Sequence, residues 1–100
     1  MRIDFSRTLA DLRGGQIMND GTPCTLGLVC FQALNGAAGA LSAEDKRRRY
    51  RIMQLIADDG MHDLADNDRD ECKKAIAETF GPLVMGQAHA LLDGGAEAKG

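Results

Sequence analysis

The N-terminal quarter of the chain alternates apolar and polar positions, a pattern typical of extended backbone. Ile3 and Phe5 are separated by single polar residues, and a period of two places both apolar side chains on one face of a strand. The pair Gly14-Gly15 lies between two short apolar runs, as in a hairpin whose turn residues adopt positive φ. We therefore predict extended backbone over residues 2–18.

A second turn is indicated at Asn19-Asp20-Gly21. These residues favour tight turns, and Pro23, which follows them, cannot donate a hydrogen bond to a sheet and so bars a central strand. Residues 2–25 are predicted to form a short β-hairpin or meander.

From Thr25 onward the apolar spacing becomes that of helices. Thr25 is a candidate N-cap, and the helix that it begins carries its apolar residues on one face: Leu26, Val29, Cys30, Ala33 and Leu34. Asn35-Gly36 is a C-terminal stop signal. The run NGAAGA, which begins at Asn35, is predicted to be a flexible connector.

A second helix is predicted to start at Ser42 and to end at Gly60. Ser42 and Asp45 form the S-x-x-[DE] pattern of a helix start. Its expected buried stripe is Tyr50, Met53 and Ile56, widened by Ile52 and Leu55.

A third helix is predicted from the acidic stretch that follows. Asn67 or Asp68 can cap it, and further acids suit a helix N-terminus because that end carries partial positive charge. The residues expected to point inward are Cys72, Ala75, Ile76, Thr79 and Phe80.

The segment FGPLVMGQAHALL places a helix breaker inside an apolar run. Pro82 has no N–H for an intact helix and would crowd the preceding turn, yet the apolar phase continues through Leu83, Val84 and Leu91. We predict that one helix stops at Gly81 and a fourth starts at Pro82, the favoured first position for proline. Phe80, Gly81, Pro82 and Gly86 are thus interpreted as a structural bend with close packing, because Gly86 and Ala90 are small enough to admit another helix or the hairpin.

Strand and helix patterns are segregated along the chain, which predicts an α+β fold. The expected architecture is one globular domain over residues 1–95, with the hairpin at 2–25, three to four packed helices at 26–93 and a flexible tail at 96–100.

Composition limits the function classes. The chain has 100 residues and a net charge of −3. This negative charge argues against a protein that binds nucleic acid over much of its surface. No apolar run approaches the ~20 residues of a membrane span, and the start MRIDFSR does not resemble a signal peptide. We therefore expect a cytoplasmic protein that does not contact membranes.

No residue pattern indicates catalysis or metal binding. Cys24, Cys30 and Cys72 are odd in number and form no CxxC pair, whereas a disulfide framework needs an even count and a zinc site needs close ligand pairs. Cys30 and Cys72 are instead predicted to be small core residues. We expect no enzymatic activity, no cofactor and no metal.

The basic run from Lys46 to Arg51 is the candidate contact surface. Arg47, Arg48 and Arg51 could contact a partner, and three interpretations stay open: a solvated face neutralised by the i, i+4 pairs Glu44–Arg48 and Asp45–Arg49, an acidic protein partner, or nucleic acid. The acidic balance of the chain makes nucleic acid the weakest of these.

Four stretches of the chain carry a resemblance to a known group of proteins: IDFSRTLADLRGGQI, TLGLVCFQAL, KRRRYRIMQLI and FGPLVMGQAHALLD. Their order is similar to that in small proteins of about this length encoded by tailed bacteriophages and prophages, which share T-L-G, Y-R and G-P-L-V-x-G-Q-A patterns. Phe80 stands where those proteins have Tyr. The resemblance implies no enzyme activity and no cofactor.

What the resemblance implies about function is a role in virion morphogenesis by protein–protein contact, as a tail-assembly chaperone-like protein or a minor head–tail component. The partner would be a phage structural protein, in the bacterial cytoplasm or in the virion. The alternative is a phage-encoded regulator or inhibitor that binds a host protein or nucleic acid through the basic helix.

Overall fold

A computed structural model describes residues 2–10, 12–13, 15–19, 21–36, 41–58 and 60–94. Short antiparallel strands precede and flank four packed helices, so the predicted α+β class is confirmed. The strands are β1 (Arg2–Asp4), β2 (Met18–Asn19), β3 (Thr22–Pro23) and β4 (Met61–Asp63), and the helices are α1 (Leu26–Gly36), α2 (Ala43–Ile56), α3 (Asp66–Thr79) and α4 (Pro82–Leu92). The expected tail at 96–100 and most of the expected connector lie outside the described residues.

Strand β1 pairs with β4 and not with its sequence neighbours. Ile3 lies opposite His62 in an antiparallel register, and the N–H of Phe5 donates to the carbonyl of Gly60 at 3.0 Å. The sequence placed β1 in the N-terminal hairpin region, and this part of the prediction is wrong. The sequence of β4, MHD, is too short and too polar to show a strand period.

The described residues between 7 and 25 form a small meander. Ala10 and Gln16 face each other across the predicted first turn, and β2 and β3 are joined by a turn in which Gly21 has φ of +83°. Leu9 is the central residue of the meander, since its N–H donates to Cys24 at 2.9 Å and its carbonyl accepts from Ile17 at 3.0 Å. Of the predicted turn residues, Gly14 and Asp20 lie outside the described residues.

Two of the three predicted side-chain caps are confirmed by their hydrogen bonds. The Thr25 hydroxyl accepts the N–H of Leu28 at 3.0 Å, and the Ser42 hydroxyl accepts the N–H of Asp45 at 3.1 Å. Helix α3 differs, because its N-cap is Ala65 and no side chain caps it. The predicted caps, Asn67 and Asp68, lie inside the first turn.

The core lies between α1, α3 and the N-terminal meander. It contains the predicted face of α1, together with Cys24 and Cys72. Its other buried apolar residues come from the N-terminal segment, from the other three helices and from the β4–α3 connection: Ile3, Phe5, Leu9, Ile52, Ile56, Leu64, Ala75, Ile76, Ala88 and Leu92. Burial of Cys30 and Cys72 confirms their prediction as core residues. Thr79, which was expected to point inward, is exposed, and Phe80 is only half-buried.

The buried stripe of α2 is displaced from the predicted one. Tyr50 is 61% exposed and Leu55 is 43% exposed, while Arg49 is buried together with Ile52 and Ile56. The prediction failed at these positions because it ranked side chains by hydrophobicity. An arginine whose charge is matched by another helix can occupy the inward face.

The break at Gly81-Pro82 is confirmed. Phe80 ends α3 with extended backbone, its N–H donates to the carbonyl of Ile76 at 2.9 Å, and Gly81 is the N-cap of α4, with Pro82 in the first helical turn. The inward phase of α4 differs from the prediction, since its fully buried residues are Ala88 and Leu92, and Leu83 is 37% exposed.

The close packing expected at Gly86 is not observed. Gly86 is exposed, and a Cβ atom built there meets no other group within 4 Å. The glycine therefore lies at an open position of α4, where no described group is close enough to require a small residue.

Candidate functional site

The exposed side of α2 carries cations and large apolar side chains together. We call this surface the outward face of α2 and define it by Arg47, Tyr50, Arg51 and Leu55. Arg47, Arg51 and Leu55 follow one another at spacings of four residues, and Tyr50 lies three residues after Arg47, so the four share one broad side of the helix. The Ser42 cap fixes where the helix starts, and burial of Ile52 and Ile56 on the opposite side fixes its rotation. The outward face is therefore set by the packing of α2 on α1.

The three predicted contact residues lie around one shallow depression of about 390 Å³. Arg47, Arg48 and Arg51 line it with Glu44 and Asp45 at its border. The structure thus brings the three predicted cations together. They differ in how many contacts they make with α3 and in how exposed they are.

Arg48 joins α2 to α3. Its Nη2 donates to the carbonyl of Asn67 at 2.9 Å, and its guanidinium lies 3.7 Å from Glu71 and 3.9 Å from Asp68. A side chain with one hydrogen bond and two longer ion pairs to a neighbouring helix has a structural role. Arg48 is therefore the predicted contact residue least available to a partner.

Arg47 and Arg51 remain accessible. The side chain of Arg51 is 67% exposed and reaches Asp68 only at 3.6 Å, a distance at which an exposed pair contributes little. Arg47 is exposed, and within the described ranges it forms no ion pair. These two arginines carry the positive charge of the outward face.

The expected pairs Glu44–Arg48 and Asp45–Arg49 do not form. Both arginines pair instead with carboxylates of α3, Arg48 with Asp68 and Glu71 and Arg49 with Glu71. The basic cluster is partly neutralised, as expected, but by a different helix.

Arg49 is a buried polar residue whose burial the sequence did not predict. It is 1% exposed, and its Nε donates to the carboxylate of Glu71 at 2.7 Å. Its Nη2 lies 3.6 Å from the carboxylate of Glu78, beyond hydrogen-bond length. Both Nη atoms are buried and lack a hydrogen-bond partner among the described residues.

A signal for Arg49 was present in the spacing. Ile52 and Ile56 lie three and seven residues after it, so the apolar stripe of α2 extends back to position 49. The neighbouring cations concealed this, since a basic run is usually exposed.

The bend residues position α4 against the meander through Gln87. The side-chain carbonyl of Gln87 accepts the N–H of Ala10 at 2.9 Å, and its amide group donates to the carbonyl of Ala10. One side chain thereby satisfies both backbone groups of Ala10, as a neighbouring strand would. A groove of about 320 Å³ runs along this junction, lined by Arg7, Thr8, Ala10, Gly86, Gln87, Ala90 and Leu91.

The cysteines and histidines are dispersed. No disulfide joins the three buried cysteines, and burial raises the pKa of the Cys24 thiol. His62 bonds to Asp58 at 2.6 Å, and His89 bonds to the carbonyl of Lys73 at 2.8 Å. Across the described ranges, no three residues among the histidines, cysteines and acids are grouped so that they could hold a metal ion.

Comparison with known proteins gives no relative for the chain: no protein family, no curated protein and no solved structure matches it. In the part of the chain that the structure describes, no helix has both the length and the apolar character needed to cross a bilayer.

Proposed function

We propose that this protein acts by protein–protein contact and that the outward face of α2 is its contact surface. The observation that carries the proposal is the exposure of Tyr50 and Leu55 beside Arg47 and Arg51. Tyrosine and arginine are the residue types enriched where protein interfaces bind most strongly. Tyr50 and Leu55 add contact area to this face beside its two accessible cations.

The charge of this face indicates an acidic partner. Arg47 and Arg51 are accessible, and positive surfaces are matched by negative ones across protein interfaces. Nucleic acid is a weaker candidate, because Glu44, Asp45 and Asp68 lie close to the same arginines and the chain is acidic overall. A nucleic-acid backbone would bring a continuous row of phosphates past these carboxylates, whereas a protein partner can place single acidic side chains at Arg47 and Arg51 alone.

The resemblance to small tailed-phage proteins supports a more specific proposal. The partner is then a phage structural protein, and contact with it serves virion morphogenesis in the cytoplasm of an infected bacterium, either as an assembly factor or as a minor head–tail component. A regulator that binds a host protein through the same face is the second candidate, since the outward face serves either partner.

The test is co-purification with phage structural proteins from bacteria in which the encoding phage or prophage is active. A tagged wild-type chain is compared with the double variant Arg47→Glu/Arg51→Glu. The matched control is Arg7→Glu/Lys74→Glu, which makes the same change in charge at exposed positions away from α2. Each variant is checked by circular dichroism for unchanged folding.

We expect the α2 variant to lose the captured structural protein and the control to retain it. Capture of a host protein alone would transfer the proposal to the regulator. Mass spectrometry of purified particles then separates a virion component, which is present in them, from an assembly factor, which is absent. Salt-sensitive micromolar binding of nucleic acid that is lost in the α2 variant would contradict a protein partner.

A further inference from the structure

The extended backbone at residues 7–10 has one edge that faces away from the rest of the meander. The N–H and the carbonyl of Leu9 both bond within the meander, and in an antiparallel strand the next residue on each side directs its backbone groups to the opposite edge. The bridge between Thr8 and Thr25 agrees with this, because its bonds are made by the residues that flank Thr8. Thr8 and Ala10 therefore direct their backbone groups toward α4.

The chain fills this edge at one residue and leaves it open at the other. Both backbone groups of Ala10 are bonded by the side-chain amide of Gln87. The N–H and the carbonyl of Thr8 have no hydrogen-bond partner among the described residues, although its hydroxyl accepts from Gln16 at 3.4 Å. An unpaired N–H and C=O on a strand edge form a template for another strand. We call this unpaired donor and acceptor the Thr8 edge.

The groove of about 320 Å³ between the meander and α4 lies directly beside the Thr8 edge. Its side on α4 includes Gly86 and Ala90, which are exposed and small. A Cβ atom built at Gly86 meets no other group within 4 Å, so the space next to this helix is open. The side chains of an added strand have room there.

The charge of the groove is positive. Arg7 lines it and is exposed, and none of the described residues that line it is acidic. The pKa of Asp4 is lowered first by hydrogen bonds from Ser6 and to a smaller extent by the charge of Arg7, but Arg7 forms no ion pair within the described ranges. An acidic segment therefore matches this groove in charge.

We infer that the Thr8 edge is a second binding surface, which takes an extended acidic segment of another protein as an added antiparallel strand. The carbonyl of one residue of that segment accepts the N–H of Thr8, and the N–H of the same residue donates to the carbonyl of Thr8. The residues before and after it share a face with Arg7, which a carboxylate there contacts. The inference does not rest on the proposed function, because the Thr8 edge shares no residue with the outward face of α2.

The test titrates the purified chain with the capped tripeptide acetyl-Glu-Val-Glu-amide and follows the backbone amide signals by NMR. We expect saturable shifts concentrated at residues 7–10 and 86–91. The same peptide with an N-methylated valine cannot donate to Thr8, and it should bind about fivefold more weakly because one hydrogen bond is lost. The peptide with glutamine in place of both glutamates should bind about two- to fivefold more weakly. Equal affinity for either matched peptide, or shifts centred elsewhere, would overturn the inference.

Variants of the chain test the edge from the other side. Thr8→Pro removes an N–H that no described residue uses, and proline is tolerated at such an edge. It should weaken peptide binding about fivefold, whereas Thr8→Ala, which keeps the N–H, should bind as the wild type does. Equal binding by these two variants would contradict pairing at Thr8.

A change on α4 tests the groove if Thr8→Pro does not fold. Ala90→Leu fills the groove with a residue that suits a helix, and it should weaken peptide binding. Its matched control is Ala77→Leu, the same change at an exposed position of α3, which should bind as the wild type does. Unchanged binding by Ala90→Leu would remove the groove from the site and overturn the inference.

Two further measurements identify the occupant and keep the two surfaces apart. If the amide signals of residues 7–10 shift with protein concentration when no peptide is present, the edge pairs with a second copy of the chain and the inference is overturned. The variant Arg47→Glu/Arg51→Glu should bind the peptide as the wild type does, and Thr8→Pro should still capture the structural protein. Failure of the outward face of α2 then leaves the Thr8 edge standing, and the reverse also holds.

Discussion

Replacing Gly86 by alanine should stabilise the protein. Gly86 is an interior residue of the 11-residue helix α4, its backbone has no positive φ, and a Cβ there meets no other group within 4 Å. Only helix propensity then changes, and glycine is about 0.8–1.0 kcal/mol less favourable than alanine in a helix interior. For a domain of this size, that gain raises the melting temperature by roughly 4–8 °C.

The assay is urea unfolding followed by far-ultraviolet circular dichroism. Ala90→Gly is the matched control, because Ala90 is exposed on the same helix one turn later and the reverse substitution should cost about the same free energy. The urea midpoint should move in opposite directions in the two variants, with unchanged slopes. Destabilisation by Gly86→Ala would refute the reasoning, and it would place Gly86 in the close contact that the sequence predicted.

Three further predictions test other contacts. Gln87→Leu should destabilise by about 1–3 kcal/mol in urea unfolding, because it removes both partners of the Ala10 backbone; no effect would mean that water replaces them. Arg49→Ala should cost about 3–5 kcal/mol in the same assay, since it leaves a buried carboxylate without its closest partner; a cost under about 1 kcal/mol would contradict the burial of this pair. The pKa of Asp4, lowered first by the Ser6 hydroxyl and then by the Ser6 N–H, should rise in Ser6→Ala when followed by NMR, and an unchanged pKa would exclude that bond.

The sign of the Asp4 effect on stability follows from the direction of its pKa. A carboxyl group whose pKa is lower in the folded state than in the unfolded chain stabilises the fold above its ordinary pKa of 3.8. This contribution is lost as the pH falls through the folded-state pKa. The loss of stability below pH 3.8 should therefore be shallower in Ser6→Ala than in the wild type.

The features that sequence predicted well depend on local chemistry. Thr25 and Ser42 cap helices because a hydroxyl reaches an N–H three residues ahead, whatever the rest of the chain does. Pro82 begins α4 because its own ring forbids a helix through that position. Each of these outcomes is decided within one turn of backbone.

The features that sequence missed depend on residues far along the chain. Strand β1 finds its partner beyond α2, and β4 has no period of its own to reveal the pairing. Arg49 is buried because Glu71 on α3 forms an ion pair with it. No pattern within α2 predicts that pair. For the outward face of α2, the sequence identified the cations Arg47 and Arg51 as candidates. It did not predict that Tyr50 and Leu55 are exposed, because that depends on how α2 is rotated against the core.

The most direct test of the proposed contact surface is hydrogen–deuterium exchange of the protein alone and in complex with the captured structural protein. We predict slower exchange on binding in the α2 segment, residues 46–55, and little change in α4. Protection confined to residues 82–92, with α2 exchanging as in the unbound protein, would contradict a contact through α2 and assign the contact to α4.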